Sequence, residues 1–185
     1  MNKKKILIIL SILMILFVAV LIEKKTIHKL IYPKKYSQYV EKYSEEFNVE
    51  ENLVYSVIKA ESKFKKDAIS YKGAKGLMQI SDITKDWAIE ELELHEIDIL
   101  NPEINIRIGC WYLNKLYKEF GRLDLVIAAY NGGSGNVNKW LNDNKYTDYE
   151  KRLHTIPFKE TSNYVEKVKK NYKNYNKIYS KEGTN

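Results

Sequence analysis

From Tyr36 onward, apolar positions recur every three to four residues, the period of helices packed by one face. Tyr36, Val40, Tyr43 and Phe47 make the first stripe. Residues 50–62 make a second helix, with Leu53, Val54, Val57 and Ile58 on its apolar face. One more step along that stripe lands on an acid, Glu61. Residues 67–79 lose the period and contain Gly73 and Gly76, which predicts a structured loop. Ser81 stands where it can cap a helix through Trp87 to about Leu94. Asn101-Pro102 opens another helix with proline in its first turn. Ile104, Ile108, Trp111, Tyr112, Leu116 and Phe120 form its apolar face, and Gly121 ends it. Residues 123–130 are apolar almost throughout, as expected of a central helix. Residues 131–135 read as a glycine-rich turn, and 158–179 as a long amphipathic final helix. No alternating strand pattern and no internal repeat occur, so the expected fold is mainly α, one domain over 36–179 with a flexible tail at 180–185.

Ahead of this domain the pattern changes. Ile6 to Ile22 is apolar except for Ser11, a run of 17 residues that is about 26 Å long as a helix. That is the short end of what spans a bilayer. Lys3, Lys4 and Lys5 precede it, as before a signal sequence or signal anchor. No small-x-small cleavage pattern and no cysteine follow it, which favours a retained transmembrane helix over a cleaved signal. The expected order is a basic cytoplasmic N-terminus at 1–5, an anchor at 6–22 and a charged linker at 23–35. Lysines on both sides of the run leave its orientation to other arguments.

Charge bears on the choice of partner. The 185-residue chain has a formal net charge of +7. Residues 1–35 hold eight Lys/Arg and one acid, Glu23, and so carry all of it, leaving 23 basic and 23 acidic residues in the domain. A nucleic-acid surface is therefore not expected. The lone cysteine, Cys110, lies on an apolar helix face and reads as a buried, inert thiol. His28, His95 and His154 are far apart, so no metal site and no cofactor is expected. Trp87, Trp111 and Trp140 read as core or rim.

Glu61 ends its helix, near the negative end of the helix dipole, and continues an apolar stripe. Both effects disfavour the charged carboxylate and raise its pKa, which suits a general acid. Read from this helix alone, a helix-end acid that simply turns to solvent is an equal alternative. Three further segments change the balance. "SYKGAKGLMQI" (70–80) brings glycines and the neutral polar groups of Ser70 and Gln79. "AAYNGGSGNV" (128–137) sets Tyr130 and Asn131 at the end of an apolar helix. "IPFKETSNYVEKV" (156–168) puts Glu160 one turn before Tyr164. One acid of raised pKa among neutral polar groups and rings suits an uncharged polar polymer such as a glycan.

Together these segments resemble the soluble lytic transglycosylase family, relatives of goose-type lysozyme. The likeness rests on Glu61-Ser62, Gly76-Leu77-Met78-Gln79, Ala129-Tyr130-Asn131 with Gly133, and Glu160-Thr161 with Tyr164-Val165, in that order, over about residues 50–175. It implies a helical lysozyme-like fold and cleavage of peptidoglycan glycan strands between N-acetylmuramic acid and N-acetylglucosamine. It implies that Glu61 is the sole catalytic acid and base, with the substrate's N-acetyl group in place of a carboxylate nucleophile. It further implies that Ser70 and Gln79 contact the sugar and its N-acetyl group and that Tyr130 lies by Glu61. Asn131 would then shape the following turn, Glu160 would contact the glycan or order the groove, and Ser62 would support the helix end. Two departures stand out. The apolar-Met-Pro continuation common after Gln79 is here Ile80-Ser81-Asp82, and Gly132 replaces a usual alanine, which is expected to loosen the turn. The resemblance leaves open a lysozyme-type hydrolase using the same Glu61, or a non-catalytic glycan-binding part of an envelope machine. It names no protein partner.

Overall fold

The computed structural model of the chain describes residues 10–14, 27–95, 97–148 and 152–179. Seven helices make the body: α1 (Ser37–Glu46), α2 (Glu51–Glu61), α3 (Asp82–Glu91), α4 (Pro102–Phe120), α5 (Leu123–Gly132), α6 (Ser134–Leu141) and α7 (Lys159–Tyr179). Among the described residues there is no strand beyond isolated bridges such as Lys75 with Ile80.

The helix ends follow local chemistry. Ser81 accepts a hydrogen bond from the Thr84 amide at the start of α3. Asn101 accepts from Glu103 and Ile104 ahead of Pro102. Gly121 closes α4 in the left-handed region at φ 67°, where a side chain would strain the backbone. The first predicted stripe begins one residue early, because Tyr36 itself sits at φ 60° as the N-cap of α1.

The core is organised around α5, in which Leu125 through Ala129 are all buried. α4 and α7 pack against it, and α7 also runs along α2. α2 is covered on more than one side: Tyr55 and Ile58 are fully buried on it, each contributing about 2–3 kcal/mol by removal from water. Cys110 and Trp111 are buried in α4 and Trp140 in α6, while Trp87 sits at the rim with its ring edge-on to Trp111.

One expectation is overturned here. Residues 131–135 are not a turn: Asn131 and Gly132 finish α5, Gly133 alone breaks the chain at φ 84°, and α6 starts at once with Ser134. The run of small residues hid α6, whose apolar positions Val137 and Trp140 come only after the glycines.

The packed body extends back to Tyr32. Tyr175 donates to the Pro33 carbonyl, Tyr179 donates to that of Tyr32, and the Tyr32 ring meets Tyr175 edge-on. Residues 27–31 are helical and exposed. Most of the apolar run 6–22 and the tail 180–185 lie outside the described residues. Among the described residues no helix is long and apolar enough to cross a membrane.

Candidate active site

The loop between α2 and α3 is held by a small number of buried hydrogen bonds. Lys75 and Ile80 exchange backbone hydrogen bonds at 3.0 and 2.9 Å and close a tight turn over Gly76–Gln79. Asn105, fully buried on α4, fastens that turn: its Oδ1 accepts from the Met78 amide at 2.7 Å, and its Nδ2 donates to the Lys75 and Ile99 carbonyls at 2.9 Å each. Gly76 passes so close that a Cβ there would stand 2.2 Å from Asn105 Nδ2. The other backbone group of Met78, its carbonyl, accepts from the Tyr130 hydroxyl at 2.9 Å. Met78 is thus held from α4 on one side and from α5 on the other. Nothing in the periodicity of α4 marks Asn105, which stands between Ile104 and Ile106 with Glu103 and Arg107 beyond them.

This fastening sets Gln79 at φ 51° with both amide hydrogens donated inward, to Ala68 and Gly76 carbonyls. Gln79 also lines the cavity at the end of α2. Ser70 Oγ accepts from the Ala74 amide at 3.0 Å and steadies the loop.

Glu61, Ser70, Gln79, Tyr130, Asn131 and Glu160 all line one cavity of about 420 Å³. They come from the end of α2, the loop, the end of α5 and the start of α7. Burial raises the Glu61 carboxyl from 4.5 to about 7, and the nearby charge of Glu160 pushes the same way; the Tyr164 hydroxyl and the Lys167 ammonium pull it down. Ser62 closes the helix end behind it, donating to the Ile58 carbonyl and accepting from the Phe64 amide.

Tyr130 and Tyr164 are both held far above the usual tyrosine range, by burial first and the charge of Glu61 second. Both therefore stay neutral beside the carboxyl. The Tyr164 hydroxyl is buried and closes no hydrogen bond of regular geometry, although Glu61 is the acceptor it faces. Tyr164 belongs to the sequence motif but takes no role from it, because only the packing of α7 against the end of α2 sets its hydroxyl towards Glu61.

Asn131 is placed differently from expectation, and Glu160 lies on the rim of the cavity. Asn131 shapes no turn; its Oδ1 accepts from Thr161 at 2.8 Å and ties the end of α5 to α7. Gly132 does not loosen this junction, since a Cβ there would lie 3.0 Å from Thr161 Oγ1 and 3.3 Å from the Trp140 ring. Glu160 is exposed and pairs with Lys72 at 3.3 Å, across from the loop. Among the described residues no group of His, Cys, Asp and Glu could hold a metal ion.

Residues 38–153 match the model of the Transglycosylase SLT domain. The chain belongs to this family. The matched SLT stretch contains five of the six cavity residues named above, and Glu160 lies just past it. The chain is similar to the soluble lytic murein transglycosylase of Salmonella typhimurium, 32% identical over 143 residues, covering 74% of this chain and 22% of that protein. It is also similar to the membrane-bound lytic murein transglycosylase C of Edwardsiella ictaluri, 30% identical over 169 residues, covering 78% of this chain and 47% of that one. Among solved structures, the 70-kDa soluble lytic transglycosylase of Escherichia coli superposes with a TM-score of 0.74 at 29% identity, covering 82% of this chain and 25% of that one. A complex of the 70-kDa soluble lytic transglycosylase with bulgecin A gives 0.76 at 28% identity, covering 83% and 26%. The SLT domain here spans between about a fifth and a half of the curated relatives it matches.

Proposed function

We propose that the protein is a lytic transglycosylase that cleaves the β-1,4 bond between N-acetylmuramic acid and N-acetylglucosamine in peptidoglycan, leaving 1,6-anhydromuramic ends. The observation that carries this is Glu61: a carboxyl lifted to about 7 by burial, at the edge of a cavity whose only other acid, among the described residues, is the exposed and paired Glu160. A retaining glycosidase with two carboxylates needs a second acid free to act as nucleophile. Glu160, tied to Lys72, does not fit that role.

In this reading protonated Glu61 gives its proton to the glycosidic oxygen as the bond to C1 breaks. The acetamido oxygen of the muramic acid closes onto C1 and carries the positive charge. Glu61, now a carboxylate, takes the proton of the C6 hydroxyl, whose oxygen attacks C1 and expels the acetamido oxygen. The 1,6-anhydro ring forms without water and Glu61 ends protonated, ready for another turn. The neutral rings of Tyr130 and Tyr164 stand beside Glu61 and add no charge. The roles assigned to the rest of the cavity follow its geometry. Gln79 Oε1 accepts from a sugar or acetamido N–H, Ser70 holds the loop and contacts the sugar, and Glu160 orders the rim. Asn131 acts by holding α5 against α7.

Residues 6–22 are read as a single-pass anchor, with 1–5 in the cytoplasm, a linker that begins at 23 and gives way to the packed body by Tyr32 rather than at 35, and the catalytic domain outside the membrane, where its substrate is. The membrane-bound relative supports membrane association. Mass spectrometry of purified cell wall digested by the protein tests the activity. Anhydro-muropeptides are expected; reducing-end muropeptides instead would make it a hydrolase on the same Glu61. Unchanged wall lysis by Glu61→Gln would overturn the assignment of Glu61 as the catalytic acid, and no lysis by the parent protein would leave the domain a glycan-binding module.

A further inference from the structure

A second depression, of about 550 Å³, opens beside the C-terminal end of α2. Lys29, Lys35, Lys59, Lys63 and Lys167 line it, and no acidic side chain does. This concentration is local, because beyond residue 35 basic and acidic residues are equal in number. The lysines are only partly used by the protein. Lys59 Nζ donates to the Ile31 carbonyl at 2.6 Å, and Lys167 Nζ to that of Ala60 at 2.5 Å. Each ammonium has three donors, so both keep capacity for a ligand. Burial, then Lys63 and Lys167, hold the Lys59 ammonium below its usual range, so the cluster repels itself until an anion arrives. Glu61, whose charge reaches Lys167, belongs to the neighbouring cavity.

The rim of the depression is apolar. Leu30 and Ile31, which line it, are 75% and 50% exposed, and Ile27, one turn earlier, is 45% exposed. They belong to the helical residues 27–31, five residues past the end of the apolar run at Ile22. Lysines around exposed aliphatic side chains are the composition of a surface that sits at a lipid headgroup boundary.

We infer that this lysine-lined depression docks the anionic phospholipid headgroups of the membrane in which residues 6–22 are anchored. The inference rests on the anchored reading given above. Docking would seat the end of α2 on the leaflet, so the glycan cavity works at a fixed height in the wall layer next to the membrane.

The test uses the full chain reconstituted into vesicles of phosphatidylcholine, with and without phosphatidylglycerol, and follows backbone amide exchange by mass spectrometry. Residues 27–35 and 59–64 are expected to gain protection only on the anionic vesicles. The gain should fall on the order of a hundredfold in the triple variant Lys29→Gln, Lys35→Gln, Lys63→Gln, at about fivefold per lysine. All three side chains are exposed, so the variant keeps the fold. Equal exchange on both vesicles overturns the proposal. So does the same protection produced on neutral vesicles by free inorganic phosphate or a soluble wall polyphosphate. Anchoring fails separately, if an alkaline carbonate wash strips the chain from both kinds of vesicle. The released chain then still reports docking, by whether it sediments with anionic vesicles alone.

Discussion

Replacing Glu61 with glutamine should abolish wall cleavage and at the same time stabilise the protein, by an amount that depends on pH. The carboxyl titrates near 4.5 when exposed and at about 7 in the fold. A rise of about 2.5 pH units corresponds to about 3 kcal/mol in favour of the protonated form. Below about pH 4.5 folded and unfolded chains both hold the proton, and burial of Glu61 costs nothing extra. As pH rises from about 4.5 to about 7 the unfolded chain ionises while the folded one holds its proton, so the parent protein loses up to about 3 kcal/mol, a loss that is complete once Glu61 ionises in the fold. Glutamine fills the same volume and never ionises. The variant should therefore match the parent in pH trend near pH 4 and pull ahead above pH 8, by roughly 6–12 °C in melting temperature for a domain of this size. Thermal unfolding of both proteins across that range, by circular dichroism, makes the comparison. Any constant difference between the two side chains cancels, so the slope is the readout. A melting difference that stays flat from pH 4 to pH 9 would refute the claim that Glu61 is held protonated by burial. The same shift predicts that kcat/KM of the parent falls as pH rises through about 7, because the first step needs the protonated acid.

Asn105→Ala removes three hydrogen bonds and strands the Met78 amide and the Ile99 carbonyl, while the Lys75 carbonyl keeps the Ile80 amide; a loss of about 2–4 kcal/mol is expected in urea unfolding, with lost cleavage wherever the variant still folds. Gly76→Ala places a methyl 2.2 Å from Asn105 Nδ2 at a backbone φ of 81°, and should cost at least about 2 kcal/mol by the same measurement. Tyr164→Phe removes the hydroxyl that favours the Glu61 carboxylate, so the Glu61 pKa should move further up and carry the alkaline limb of the activity profile with it. An NMR titration of the carboxyl carbon that moved down instead would show that hydroxyl acting otherwise. Glu160→Gln breaks only an exposed ion pair and should leave the melting temperature essentially unmoved while altering KM for glycan strands.

Much of the helical plan is legible in the residues themselves, because it depends on neighbours three and four positions away. The stripe of Leu53, Val54, Val57 and Ile58, the Ser81 and Asn101 caps, Pro102 and the Gly121 stop are local signals, and each stands where the spacing predicts. Glu61 is legible for the same reason: an acid on an apolar helix end is an inconsistency visible in eleven residues. α6 was not, since three glycines within four residues favour a turn in any local reading, and only the packing of Val137 and Trp140 under the helix makes Ser134–Leu141 worth its entropy.

What tertiary structure alone decided is which groups meet. Periodicity places Asn105 on α4 but cannot say that its amide spans 27 residues to the Met78 backbone, or that Tyr130 takes the carbonyl on the other side. Those two contacts fix the loop in which Gln79 donates its amide hydrogens to the Ala68 and Gly76 carbonyls while lining the cavity. Asn131 likewise changes from a turn residue to a clamp on Thr161. The lysines around the end of α2 come from three stretches far apart in the chain. Their meeting depends on α7 lying along α2 and on Tyr175 and Tyr179 holding residues 32–33 against it. Sequence spacing determines faces and ends of helices because backbone geometry is local; the partners of buried polar groups follow from how those faces pack, which is a property of the whole fold.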